Sequence, residues 1–369
     1  MVDTAMLFVS ITAGFGLINL FYFFRFFRFT KIPLPKEEKN THPVSIVVCA
    51  KNQADNLEQL LPLLAKQNHP TFEFIVVNDG STDHTEDLLA QYALKDQRLK
   101  VVTIQPNETF WGNKKYALTL GIKKAQYQRL LLTDADCLPC SNAWLMLMTA
   151  PIKDKSSIVL GYGGYQKRSG LLNALIRYET VMTACQYLGH ARAGMPYMGV
   201  GRNMAYATAL FYEQNGFASH MAIPSGDDDL FVNNAAKSDH THIVVEPEAH
   251  TRSIPETTWS AFVRQKRRHI TTAHHYKWQH QWVLGLYALS IFGFWMGTAL
   301  SLTIGAPLYY IFGVLTLRIG LQYALLAPCF KVLKEKSLTW MMVIFEPLLL
   351  CFQLIIFILN LSSNPQRWK

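Results

Sequence analysis

The chain has 369 residues, of which 50% are hydrophobic and only 17% charged, with 35 Lys and Arg against 26 Asp and Glu for a net charge of +9. Globular averages lie near about 25% charged, so the deficit excludes disorder and places part of the chain in lipid. The basic balance suits nucleic acid, anionic headgroups or phosphorylated substrates and alone selects none of them. Six cysteines in so long a chain make no disulfide framework and point to a reducing compartment.

Residues Ala5 to Phe24 contain no ionisable group, and about 20 such residues cross a ~30 Å hydrocarbon core. Positive residues follow this stretch as Arg25, Arg28 and Lys31 instead of preceding it, the reverse of a cleaved signal peptide, so residues 1–30 are expected to form a membrane-spanning helix. With positive loops kept inside, the N-terminus lies outside and everything from Arg25 to Gln281 in the cytosol. Residues 31–43 carry prolines and mixed charge and read as a linker. An α/β unit is expected over 44–255. Val44–Ala50 is a β-branched run without alternation, the mark of a strand buried on both faces. A helix over 56–67, a strand over 72–77, a helix capped by Asp83, a strand over 99–104, a helix over 114–126 and a strand over 129–133 continue the alternation. Such βαβ units build a parallel sheet, which binds ligands beyond the carboxyl ends of its strands. Asn78-Asp79-Gly80-Ser81 and Asp134-Ala135-Asp136 fall at two of those ends.

After about residue 150 the alternation degrades. A short strand ends at Gly161–Tyr165, an amphipathic helix covers Leu171 to Leu188, and Ile243 to Val245 reads as another short strand. Thr257 to Trp278, within a 256–281 segment, is basic and aromatic and predicts one helix lying at the membrane interface. Three further spans follow within 282–369, at 282–304, 306–327 and 338–361. Lys331, Lys334 and Lys336 then fall inside, whereas Arg367 and Lys369 fall outside against the rule. Arg318 and Glu346 lie at similar depths of roughly 12–15 Å, counting 1.5 Å per residue. Intramembrane charges are rare and usually paired, so an ion pair fixing the packing of the third and fourth spans is expected.

Asp134 and Asp136, one residue apart on a strand-end loop, can share a divalent cation that neutralises a diphosphate, though an isolated D-x-D triplet reads equally as solvated loop acids. Gly80 permits a tight turn that lets Asp79 face a nucleobase or ribose; Ser81, Thr82 and Asp83 read better as a turn and a helix cap. Lys114 or Lys115 stands at a helix start, where an anion is favoured. Asp227, Asp228 and Asp229 repel one another and raise at least one pKa unless a cation intervenes. One of them can be a general base, or the run can be an acidic helix N-terminus. Arg264-Gln265-Lys266-Arg267-Arg268-His269 offers guanidiniums to phosphate or to anionic lipid. Cys137-Leu-Pro-Cys140 lacks the second pair a Cys₄ zinc site needs and reads as two reduced thiols. His240-x-His242 and His274-His275 read as chance and interfacial placement.

Taken in order, N-D-G-S at Asp79, G-x-K-x-x-A-L at Lys114, D-x-D at Asp134, D-x-D-L at Asp227 and Q-x-x-R at Gln265 resemble the processive-type family 2 inverting glycosyltransferases, a group that includes cellulose, chitin and hyaluronan synthases, over roughly residues 42 to 275. The resemblance implies an α/β GT-A fold, Rossmann-like with a mainly parallel sheet, plus one N-terminal and three C-terminal transmembrane helices. It implies a nucleotide-diphospho-sugar donor, a UDP-sugar favoured, and a divalent metal, Mg²⁺ or Mn²⁺. By that likeness Asp79 holds the nucleotide base, Lys114 sits near the donor, Asp134 handles ribose and diphosphate, and Asp134 with Asp136 takes the metal. Asp227 is the base, or Asp228, because Gly226 stands where the family often has Glu. Gln265 and Arg268 bind the diphosphate. Gly199, Arg202 and Asn203 of the Met198–Met204 loop lie on the acceptor side, with His269 in place of the usual Trp. Asn52-Gln53 stands where Asn-Glu is common. The expected activity is transfer to a hydroxyl of a lipid or lipid-linked glycan in cell envelope glycan biosynthesis, at the cytosolic face of the inner (plasma) membrane, with no nucleic-acid partner. A processive polysaccharide synthase and a catalytically inactive nucleotide-sugar-binding scaffold are the alternatives.

Overall fold

The computed structural model describes residues 2–32, 42–104, 114–223 and 225–362. Most of the 31–43 linker, Gly112 and Asn113 of the lysine motif, and Arg367 and Lys369 lie outside the described residues.

Helix α1 (Val2–Phe27) runs into a 3-10 turn that ends at Lys31. Beyond the linker come β1 (Val44–Ala50), α2 (Ala54–Ala65), β2 (Phe72–Asn78), α3 (Thr85–Lys95), β3 (Leu99–Thr103), α4 (Lys114–Lys124) and β4 (Arg129–Asp134), the alternation expected. β1 and β2 are buried at every residue, which is why neither shows a polar face in sequence. β1 pairs in parallel with β2 on one side and β4 on the other, and β3 adds outside β2. The order therefore reverses at β1, and the crevice past the carboxyl ends of β1 and β4 is the topological switch point. Gly121 lets α4 lie hard against this sheet, since a Cβ there would stand 2.7 Å from Val47 Cγ1 and 2.8 Å from Val77 Cγ2.

The next stretch contributes β5 (Cys137–Pro139), α5 (Trp144–Thr149), β6 (Ile158–Leu160), β7 (Gly163–Tyr165), α6 (Leu171–Arg192), β8 (Met204–Ala207), α7 (Thr208–Glu213), α8 (Asp229–Ala235), β9 (Thr241–Ile243) and β10 (Thr251–Ser253). β8 enters antiparallel between β4 and β6, completing the order β3-β2-β1-β4-β8-β6-β9. A second sheet, β5-β10-β7, stands past the end of β4. One apolar cluster packs α2 and α5 on one face of the main sheet; the other packs α4 and α6 on the opposite face and runs on into the apolar helices.

After α9 (Trp259–Ile270) come α10 (Trp278–Thr303), α11 (Leu308–Val332) and α12 (Met342–Ser362). With α1, these make four helices long and apolar enough to cross a membrane. Their outer faces carry exposed Leu17, Trp282, Phe312 and Ile358. The expected ion pair is present: Arg318 Nη1 lies 2.8 Å from Glu346 Oε2, both side chains buried. Asn19 of α1 accepts from the same guanidinium at 2.9 Å and donates to Ser290 of α10 at 2.8 Å. Gln322 of α11 and Trp295 of α10 both donate to Glu346 at 3.0 Å. One polar network thus touches all four helices.

Three expectations need correction. The helix read over Thr257–Trp278 ends at Ile270 and gives way to a turn, because the Thr272 and Tyr276 hydroxyls both donate to Asp229 and pull the chain off the helical path. The short strand read at Ile243–Val245 pairs two residues earlier, at Thr241–Ile243. Asp83 does accept the Thr85 amide (3.1 Å), but its other oxygen accepts the Ala54 amide of α2 (3.2 Å), so it ties two helix starts together.

Candidate active site

Asp134 ends β4 in register with Cys49 at the end of β1, at the switch point. Lys114 opens α4 and points across the same crevice, its Nζ 2.8 Å from Asp134 Oδ1 and 2.8 Å from Asp227 Oδ2. Burial works against the Lys114 charge, but Asp134, Asp227 and Asp228 more than offset it and raise its pKa well above the ordinary range. Burial would likewise lift Asp227, yet the Lys114 ammonium holds that carboxyl below its usual value.

Asp228 is tied to backbone at both oxygens, from Gly201 N (2.7 Å) and Asp229 N (2.8 Å). Burial first, then the charges of Asp227 and Asp229, push it up to about 7. Gly226 before the acids has φ +99°, a conformation that a Glu would adopt only under strain. Lys115, the neighbour of Lys114, turns to the other side of α4, where its buried ammonium donates to the carbonyls of His220 (3.0 Å), Ile223 (2.5 Å) and Ser225 (2.6 Å). The sequence left these two lysines open; Lys114 faces the crevice and Lys115 builds the loop beneath it.

These groups line a cleft of about 390 Å³. Asp134, Asp136, Asp227, Asp228, Arg202, Gln265 and His269 all face it. Gln265 Oε1 and Arg202 Nη1 are buried without partners, and the Arg202 guanidinium lies 4.6 Å over the Tyr165 ring. His269 stands along the wall, where the protein around it, then the charges of Lys266, Arg268 and Arg202, hold its imidazole well below its ordinary pKa. Arg268 is not part of the lining. Gly199 also lies off it, pressed between Met204, Leu160 and Val232.

Asn203 is fully buried and fully engaged. It donates to Tyr162 O (3.0 Å) and Ala249 O (2.8 Å) and accepts from Trp144 Nε1 (2.9 Å), so it holds the loop and has no atom left for an acceptor. Asp79 sits at the end of β2, apart from the cleft lining, with Oδ2 buried and unpartnered and its pKa raised by burial against the opposing charge of Lys51. Ser81, Thr82 and Asp83 are structural as expected, with Asn52 at φ +54° accepting the Thr82 amide at 2.8 Å.

Asp134, Asp136 and Cys137 bring one ligand atom each within 4.8 Å of one another, the one such group of His, Cys, Asp and Glu among the described residues. The Cys137 thiol is buried against Asp136 and Ser253, and its pKa is pushed well up, so it stays protonated. Hard divalent cations take oxygen ligands. The two carboxylates fit such an ion; the thiol does not.

Sequence reading missed the far end of the cleft. Leu284 of α10 and Leu349, Phe352 and Ile356 of α12 line it, and Lys266 of α9 is bridged to Glu179 of α6 at 2.6 Å. A lone acid in the apolar run of α6 was the available signal for Glu179.

Residues 45–206 match the family described as glycosyl transferase family 2. The chain is 25% identical to the poly-beta-1,6-N-acetyl-D-glucosamine synthase of Staphylococcus epidermidis over 169 residues, 44% of this chain and 40% of that one. It is 30% identical to the beta-monoglucosyldiacylglycerol synthase of Nostoc sp. over 148 residues, 39% of this chain and 30% of that one. The match thus spans well under half the length of these curated relatives. Among solved structures, the mannosyltransferase PcManGT from Pyrobaculum calidifontis, in complex with GDP-Man and Mn²⁺, superposes over 93% of this chain and 97% of its own with TM-score 0.59 at 17% identity, a likeness of fold. Sheet order and family match agree that residues 45–206 form a glycosyl transferase family 2 domain.

Proposed function

We propose that the protein moves one sugar from a nucleotide-diphospho-sugar to a hydroxyl of a membrane lipid, with inversion, at the cytosolic face of the plasma membrane. One observation carries this reading: a single cleft joins the acids at the strand ends to an apolar wall on α10 and α12. A hydroxyl delivered on a lipid anchor can enter from the membrane side while its tail stays among Leu349, Phe352 and Ile356. A relative named for a monoglucosyldiacylglycerol product is consistent with it.

Asp227 takes the proton from the acceptor hydroxyl, whose oxygen attacks the anomeric carbon in line with the departing diphosphate. Asp228 positions it, because both of its own oxygens are committed to backbone amides. Lys114 faces the leaving diphosphate; as it turns toward that charge it releases Asp227, whose proton affinity then rises when a base is needed. Gln265 presents an unpartnered oxygen and Arg202 an unpartnered N–H to the donor and acceptor groups. Asp79 serves the nucleotide base. Asp134 and Asp136 would hold a Mg²⁺ or Mn²⁺ ion, which when bound neutralises charge on the diphosphate.

The test is twofold. Detergent-purified protein is titrated with UDP, GDP, CDP and their sugars, with Mn²⁺ or Mg²⁺ and with EDTA, beside Asp136→Ala. Metal-dependent binding of one nucleotide, lost in the variant, is expected. Labelled sugar is then supplied with a lipid extract, and the label should move into an organic-soluble product one sugar larger. A water-soluble polymer would replace this reading with a processive synthase. No nucleotide binding by folded protein would replace it with a scaffold.

A further inference from the structure

A second cavity, of about 630 Å³, opens beside the transfer cleft. Residues just after β7, Arg177 of α6, Arg252 of β10 and the turn between α11 and α12 wall it, and the Tyr165 ring lines both spaces and separates them. At roughly 30 Å³ per water, it has room for a headgroup and not just a bare ion.

Its charge is one-sided. Lys167, Arg177, Arg252, Lys331, Lys334 and Lys336 line it against one acid, Glu335. Glu335 is already engaged: buried at 2% exposure, it accepts from Arg177 Nη2 and from Arg252 Nη1 at 2.5 Å. It therefore orients two guanidiniums and neutralises none of the lysines. Arg177 is itself 4% exposed, and its Nε is buried with no partner. The four lysines are exposed and, among the described residues, have no acidic partner. Such an assembly repels itself until an anion enters. Fixed guanidinium forks with mobile ammonium groups around them are what a phosphate oxygen cluster is met by in proteins. Lys331 stands in the last turn of α11, and Lys334 and Lys336 follow in the turn that joins it to α12, so the cavity opens where those helices leave hydrocarbon.

We propose that this cavity binds the phosphate headgroup of an anionic membrane lipid, apart from the site of sugar transfer. The inference rests on the membrane reading of α11 and α12 and not on the transfer reaction. A bound lipid would neutralise the turn and hold it against β10 and α6, on the other side of Tyr165 from the cleft.

The experiment uses the full chain in neutral detergent with dioctanoyl phosphatidylglycerol as probe, dioctanoyl phosphatidylcholine as control lipid, and inorganic phosphate as a competitor. Lys331→Gln, Lys334→Gln and Lys336→Gln are combined in one variant. A second variant removes three cations at the same end of the helices but outside the cavity, by Lys31→Gln, Arg264→Gln and Lys277→Gln. Phosphatidylglycerol should bind the wild type in preference to phosphatidylcholine. Its affinity should fall roughly tenfold or more in the first variant and less than about twofold in the second. Equal losses in the two variants, or no preference between lipids, would overturn the proposal in favour of diffuse surface attraction. Full displacement of the lipid by an equal concentration of phosphate would overturn the lipid assignment in favour of a soluble anion. Nucleotide binding on the same samples reports folding. Its loss in wild type as well would count against the transfer reading and leave this one standing.

Discussion

At the cleft floor Asp227 and Asp228 stand beside one ammonium, that of Lys114, and Asp228 keeps a proton near neutrality, at about 7. The base, Asp227, stays an anion there; loss of the Asp228 proton adds a charge beside it and strengthens it, so transfer should slow as pH falls through that value. A kcat/KM profile for sugar transfer should therefore rise through about pH 7. Asp228→Asn removes the titrating group and should abolish that inflection while leaving donor affinity within a few-fold. Asp227→Asn should cost roughly 10²–10⁴ in rate at every pH; a larger loss in Asp228→Asn than in Asp227→Asn would exchange the two roles. That these acids gather at a helix start was legible, since they precede the apolar run of α8. That Lys114 bridges Asp134 and Asp227 was not, because the pairing is made by the fold across distant segments. Asn203 shows the converse: its motif pointed at the acceptor, but a buried amide finds its partners nearby.

Among the elements, the parallel core was readable where burial on both faces suppresses alternation, as in β1, β2 and β4. The second sheet was not, because β5, β7 and β10 have three residues each and their pairing is set from elsewhere. The break after α9 was hidden for the same reason, since Thr272 and Tyr276 respond to an Asp in another element. Lys115 is a comparable case on α4, where one buried ammonium satisfies three carbonyls of the segment leading to Asp227. Hydrogen bonds to a charged group contribute about 1.5–3 kcal/mol each. Lys115→Met should therefore lower stability by at least about 2 kcal/mol, measured by thermal or denaturant unfolding. It should also reduce kcat far more than donor affinity, because the loop carrying the base is loosened and the nucleotide contacts are not. Equal losses in both would place Lys115 in donor binding instead.

For the whole molecule, the Arg318–Glu346 network fastens four helices at one level. The pair was legible as two charges at matching depth; Asn19, Gln322 and Trp295 were not, since uncharged polar residues in apolar helices are unremarkable in sequence. Leaving one charge unpaired is costly, by roughly 3–5 kcal/mol, whereas replacing both with apolar residues of similar size is near neutral. Arg318→Met and Glu346→Met should each sharply lower the thermal midpoint in detergent, and the double variant should recover most of the loss. Additive losses would mean that the two residues act independently.

The same network sets an order in time. Asn19 donates to Ser290, 271 positions later in the chain. At about 5–20 residues per second, synthesis takes on the order of tens of seconds to supply that partner. During this interval, while the residues of the sheet are being made, the Asn19 amide is without its final companions. Closure of the helix bundle is thus a late event, in which α1 is among the last of its helices to be secured.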